Sequence, residues 1–109
     1  MCASAALVEG EGIAVPDGVH TLLLVRRGGE VHAWLDRCPH LQISMRVGEM
    51  PFVLQAGRYL QCRQHFAIFR SEDGVCVRGP CEGRQLARVA VREEGGQIWR
   101  CEPDTLAAR

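Results

Sequence analysis

The sequence predicts an all-β domain, an antiparallel β-sandwich or small barrel, on three observations. Its apolar and β-branched stretches are short, hairpin-type dipeptides recur between them, and no stretch sustains a helical period. In chain order, residues 7–15 form a weak strand that Pro16-Asp17-Gly18 stops by its turn chemistry. Residues 21–25 have the continuous apolar character of a buried strand, and Gly28-Gly29 signals a two-residue hairpin into a return strand over residues 30–35. Alternation there sets Val31, Ala33 and Leu35 on one face and His32 and Trp34 on the other. Phe52-Val53-Leu54 and Tyr59-Leu60-Gln61 flank Ala56-Gly57 as a second hairpin, and residues 67–70 and 75–78 flank Asp73-Gly74 as a third. Residues 79–83 are a loop by composition, and residues 86–92 and 97–100 close the chain around Gly95-Gly96, leaving a frayed tail over 102–109. Trp34 and Phe52 read as core, and Arg26-Arg27 and Glu93-Glu94 as solvated hairpin ends.

At 109 residues the chain is read as one domain, 1–109, with an inserted lobe over about residues 36–67. A separate mononuclear iron domain does not fit in that length. Net charge is zero, so no basic field argues for nucleic acid or an anionic membrane. No apolar run approaches the roughly 20 residues of a membrane span, and residues 1–8 lack the positive flank of a signal peptide. The expected location is the cytoplasm, with no membrane partner. Six cysteines in a reducing compartment point to metal or free thiols more than to a disulfide framework. Cys76 and Cys81 are the one remaining pair close enough in sequence to suspect bonding, and the compartment argues against it.

Two short stretches carry the chemistry. Cys38-Pro39-His40 and Cys62-Arg63-Gln64-His65 each follow a strand, and each pairs one soft sulfur with one imidazole nitrogen. A structural zinc site usually closes each arm with two like ligands. A [2Fe-2S] centre of Rieske type needs two cysteines on one iron and two histidines on the other. If both arms cross the iron-iron axis, Cys38 and Cys62 meet at one end and His40 and His65 at the other. His20, His32, Cys2 and Cys101, each alone, read as ordinary core or surface groups.

The chain resembles the Rieske iron-sulfur family, and small Rieske ferredoxins within it, through Cys38-Pro39-His40-Leu41, Cys62-x-x-His65, Asp73-Gly74 and Gly79-Pro80 in that order. The resemblance implies a Rieske-type sandwich in which the two arms are loops at one end of a three-sheet fold. A proline-bearing loop, here Gly79-Pro80, covers the cluster, and Leu41 shields it. Three departures stand out. The gap from His40 to Cys62 holds 21 residues, more than is common. Residues 42–44 are Gln-Ile-Ser where the family favours glycine and proline. Phe66 occupies the position after the second histidine, where glycine is usual, and a positive φ there strains a bulky residue. The high-potential members place a disulfide at positions corresponding to Ile43 and Gln64, and aim serine and tyrosine hydroxyls at the cluster from positions corresponding to Ala67 and Phe69. Without those donors the expected potential lies towards the bottom of the roughly −150 to +300 mV Rieske range.

The function implied is that of a one-electron carrier, not an enzyme in itself, taking an electron from a flavin-dependent reductase and passing it to a terminal oxygenase. Two other readings compete: a small Rieske-like subunit of a nitrite reductase, and a zinc-bound or metal-free interaction module.

Overall fold

Gly28 and Gly29 both have positive φ, 62° and 81°, as a type I′ turn asks of its two central residues, and Arg27 faces Glu30 across them. The computed structural model describes residues 2–18, 20–39, 43–48 and 51–101, so the tail over 102–109 lies outside the described residues. Its strands are β1 (Cys2–Ala3), β2 (Gly12–Asp17), β3 (His20–Arg27), β4 (Glu30–Leu35), β5 (Val53–Leu54), β6 (Tyr59–Gln61), β7 (Ile68–Arg70), β8 (Cys76–Arg78), β9 (Arg88–Val89), β10 (Val91–Glu94) and β11 (Gln97–Arg100). A 3-10 turn over Ser4–Ala6 is the one helical element among the described residues. Among the described residues these form three antiparallel sheets, in the orders β1-β11-β10, β2-β3-β4-β9 and β5-β6-β7-β8.

The hairpins at Gly28-Gly29, Ala56-Gly57, Asp73-Gly74 and Gly95-Gly96 join the strand pairs expected of them. Three boundaries differ from the expected ones, the first being the start of β2, which lies at Gly12 and not at residue 7. Pro16 and Asp17 do not end β2: they pair with Thr21 and His20, which proline tolerates because β2 is an edge strand and its missing N–H costs no ladder bond. Residues 86–92 are not one strand. β9 pairs with β4, β10 pairs with β11, and the chain changes sheets at Ala90.

β3 explains its own composition. Leu23 and Val25 enter one buried cluster with Trp34, while Leu22 and Leu24 enter another with Ala33, against which Val31 and Leu35 pack. Both faces of the central sheet are therefore covered, and a strand buried on both faces reads as a continuous apolar run. Burying each such leucine contributes about 1.5–3 kcal/mol relative to leaving it exposed. The first cluster also holds Cys38, Cys62, Phe52, Phe69 and Cys81, so one face of the sheet is the floor of the lobe.

Arg26 is partly buried, and Glu93, though exposed, is paired with it. The Arg26 guanidinium donates to both Glu93 carboxylate oxygens, at 2.7 and 3.0 Å, and to the carbonyls of Leu7 (2.8 Å), Ser4 (3.2 Å) and Gly29 (3.2 Å). This bidentate pair clamps β10 of the first sheet to β3 of the second. The Arg26 bond holds the Glu93 carboxyl down to about 2. Glu9 accepts from the amides of Gly28 (2.6 Å) and Gly29 (3.0 Å), which hold its carboxyl below the ordinary range.

Candidate metal centre

The two arms close in the same way. The Cys38 amide donates to the Ile43 carbonyl at 2.7 Å, and the Cys62 amide to the Ala67 carbonyl at 2.8 Å, so each cysteine heads a loop closed five residues on. In the second arm the Phe66 amide also donates to the Cys62 carbonyl at 2.6 Å. That arm is the turn of the β6–β7 hairpin, and the Gln61–Ile68 pair fixes its mouth. His40 and Leu41, candidates from the sequence, lie outside the described residues.

The arms are stitched to each other. The Arg63 amide donates to the Met45 carbonyl at 2.7 Å, and the Gln64 side-chain amide to the Ser44 carbonyl at 3.0 Å. Asp36 organises the return of the first arm. Its carboxylate accepts from the Ser44 hydroxyl (2.7 Å), the Met45 amide (2.8 Å) and Arg46 Nε (2.8 Å), with a side chain only 2% exposed. Three donors, one of them charged, compensate the cost of burying that charge.

Cys38 and Cys62 are fully buried in the same apolar cluster. His65 is half-buried, and beside it Phe66 is 58% exposed. Phe66 adopts φ +62°, so this position keeps the left-handed conformation without the glycine that makes it easy. Ala67 and Phe69 are both fully buried and offer no hydroxyl.

The loop over residues 79–83 touches both arms. Gly79 has φ +114°, and a Cβ there would stand 2.8 Å from the Ala67 Cα, so only glycine lets this backbone lie on the second arm. Arg84 Nη1 donates to the Pro39 carbonyl at 2.9 Å, tying the loop's exit to the first arm. Pro80 is exposed, and Cys81 is the loop residue that turns inward. The Cys81 and Cys76 sulfurs are 3.3 Å apart as free thiols. Burial, reinforced by its contacts with Cys76 and Cys38, pushes the Cys81 thiol up to about 12.

Asp36 and Cys81 are the site residues that the sequence reading passes over. Their signals were present: an acid two residues before Cys38, and a third-loop cysteine directly after Gly79-Pro80.

The donor chemistry fits a two-iron group. Cys38 and Cys62 offer two sulfurs inside one dry cluster, and His65 sits towards the exposed side. A single zinc ion asks its ligands to converge on one point, whereas a Rieske centre keeps sulfur and nitrogen ligands on different irons.

The model of the Rieske [2Fe-2S] domain family matches residues 1–98. The 3-phenylpropionate/cinnamic acid dioxygenase ferredoxin subunit of Shigella flexneri serotype 5b is 32% identical, the match covering 90% of this chain and 87% of that protein. The oxidoreductase NdmD of Pseudomonas putida is 33% identical over 78 residues, but the chain spans only 12% of its length. Among solved structures, the complex of reduced oxygenase and oxidized ferredoxin in carbazole 1,9a-dioxygenase holds a chain that superposes with a TM-score of 0.75. The match covers 93% of this chain and 98% of that one at 24% identity, a likeness of fold.

Proposed function

The chain belongs to the Rieske [2Fe-2S] domain family, and on that premise we propose that it is a one-electron carrier whose cluster is held by Cys38 and Cys62 on one iron and by His40 and His65 on the other. The observation that carries this reading is the pair of matching arms, each closed behind its cysteine, stitched together and covered by the 79–83 loop. A bound cluster of this kind takes up and releases a single electron. The protein's own residues hold and insulate it. Cys38 and Cys62 bring thiolate ligands into an apolar interior, and Gly79 lets the covering loop approach closely enough to exclude water. His65 lies towards the surface, so exchange with a partner runs through the imidazole edges.

The partners are read as a flavin-dependent reductase and a terminal oxygenase, in the cytoplasm, with the protein itself no enzyme. The ferredoxin relative of a dioxygenase supports the oxygenase side of this reading. No helix among the described residues is long and apolar enough to cross a membrane. One domain over 1–109 is the proposed organisation, and the lobe extends further than residue 67, because the sheet that carries the second arm runs on to Arg78.

Purified protein with two irons and two inorganic sulfides per chain, a brown colour and a rhombic EPR signal on reduction is the expected result. His65→Ala abolishes that signal. Colourless protein with stoichiometric zinc overturns the reading. The buried Ala67 and Phe69, which replace hydroxyl donors, set the expected midpoint towards the bottom of the roughly −150 to +300 mV Rieske range, and a midpoint clearly above zero defeats that part.

A further inference from the structure

The two arms and the covering loop reach the surface together. Gln64 is bonded to the Ser44 carbonyl, Arg84 to the Pro39 carbonyl, and Gly79 lies on Ala67. Ile43, Phe66 and Pro80, all exposed, therefore belong to one face beside the half-buried His65. Phe66 holds its ring there in a left-handed conformation, where it adds little to the fold. Apolar groups exposed inside a polar rim mark a contact surface.

The rim has one dominant sign. Arg37, Arg78 and Arg84 are exposed and Arg63 partly so, and none of the four pairs with a carboxylate among the described residues. Arg46 is the arm arginine that does, with Asp36. The acid of the covering loop is Glu82. Over residues 36–67 and 78–84 the sequence holds six arginines and three acids, in a chain whose net charge is zero. Negative charge is therefore in excess elsewhere, and the charge is divided with the arms and covering loop on the positive side.

We propose that this face docks a redox protein whose own docking surface is rich in carboxylates, with Arg37, Arg63, Arg78 and Arg84 steering it and the Phe66 ring entering its apolar centre. This rests on the reading of the arms as holding the cluster. Opposite charges on a rim speed the encounter and fix its orientation more than they add affinity. Aromatic and arginine side chains are the types enriched where proteins meet. Because the arginines surround the face on which His65 lies, an encounter that they orient is also oriented for transfer, and a partner with a basic surface is turned away.

The test takes the cluster-loaded protein, reduced with dithionite, and follows the passage of one electron to a probe. Ferricyanide, an anion, becomes ferrocyanide; hexaammineruthenium(III), a cation, becomes hexaammineruthenium(II). From about 0.01 M to about 0.2 M ionic strength the ferricyanide rate is expected to fall about threefold to tenfold and the hexaammineruthenium rate to rise. A neutral protein with evenly spread charge shows neither change, and that result overturns the proposal. Arg78→Glu is expected to remove most of the dependence. Arg92→Glu, which alters the net charge equally on a sheet that carries no arm, leaves it in place, and equal effects of the two overturn the proposal. Cytochrome b5 and cytochrome c, protein acceptors of acidic and basic surface, then separate the partner classes. Transfer to the first is expected to slow with salt and transfer to the second to quicken, and the reverse pattern overturns the proposal. Phe66→Ser slows transfer to cytochrome b5 about threefold or more without slowing ferricyanide, and Phe66→Leu restores it; slowing of both acceptors, or of neither, overturns the role of the ring. A wild type without the rhombic EPR signal defeats the cluster reading itself, an outcome distinct from all of these.

Discussion

Phe66 stands at φ +62° with 58% of its surface exposed. A left-handed conformation costs a residue with a Cβ about 1–2 kcal/mol, and little burial of the ring offsets it here. Phe66→Gly is expected to raise stability by about 0.5–1 kcal/mol, the relieved strain less the added freedom of glycine in the unfolded chain. The urea midpoint of the loaded protein measures it, and a lower midpoint than wild type means that the ring contributes packing. Asp36 has the opposite character. Its buried carboxylate satisfies three donors, and Asp36→Ala leaves Arg46 and the Met45 amide without it. A loss of about 2–4 kcal/mol is expected, with earlier bleaching of the cluster absorbance on heating. Gly79→Ala forces a Cβ against the Ala67 backbone at positive φ. That costs at least about 2 kcal/mol and lifts the covering loop, which faster cluster loss to a chelator reports.

Each candidate arm is only as well placed as the hairpin or strand beneath it. The second arm sits between β6 and β7, whose pairing fixes its mouth, and the first leaves β4 and is turned back by Asp36. The clamp between β3 and β10 works at the same scale. Glu93 titrates near 2 in the folded protein against an ordinary 4.5, because Arg26 favours its charged form. A depressed folded value means that this stabilisation is complete above about pH 4.5 and is lost as pH falls through to about 2. Glu93→Gln is therefore expected to show a shallower loss of urea stability between pH 4.5 and 2 than wild type, and parallel slopes count against the clamp.

Among the described residues the buried side chains form two cores divided by one sheet, and only one of them contains the candidate cysteine ligands. Cys38 and Cys62 share a cluster with Trp34, Met45, Leu60 and Phe69, while Leu7, Leu22, Leu24, Val89 and Ile98 form the other. Metal binding that draws on folded ligands is folding free energy. Removing iron is therefore expected to loosen the lobe and spare the body. Hydrogen exchange of the apo protein checks this: amides of β6 and β7 lose protection while those joining β2 to β3 keep theirs. Uniform loss across both sheets means that the two cores fold as one unit.

Local chemistry is legible in the linear chain. Hairpin dipeptides at Gly28-Gly29 and Gly95-Gly96, the alternation along β4, and two Cys-His arms that each follow a strand are all written within a few residues of one another. The strand ends at Asp17 and the break at Ala90 depended on which sheet received each segment, and edge position is a property of the assembled fold. The Arg26–Glu93 clamp spans 67 residues of chain, and in sequence each partner looks like an ordinary surface charge. Cys81 reads as one spare thiol among six until the third loop folds over the first arm. Pairings between residues distant in sequence depend on packing that no local pattern encodes, so the groups that gather beside the candidate metal centre emerge only once the chain has folded.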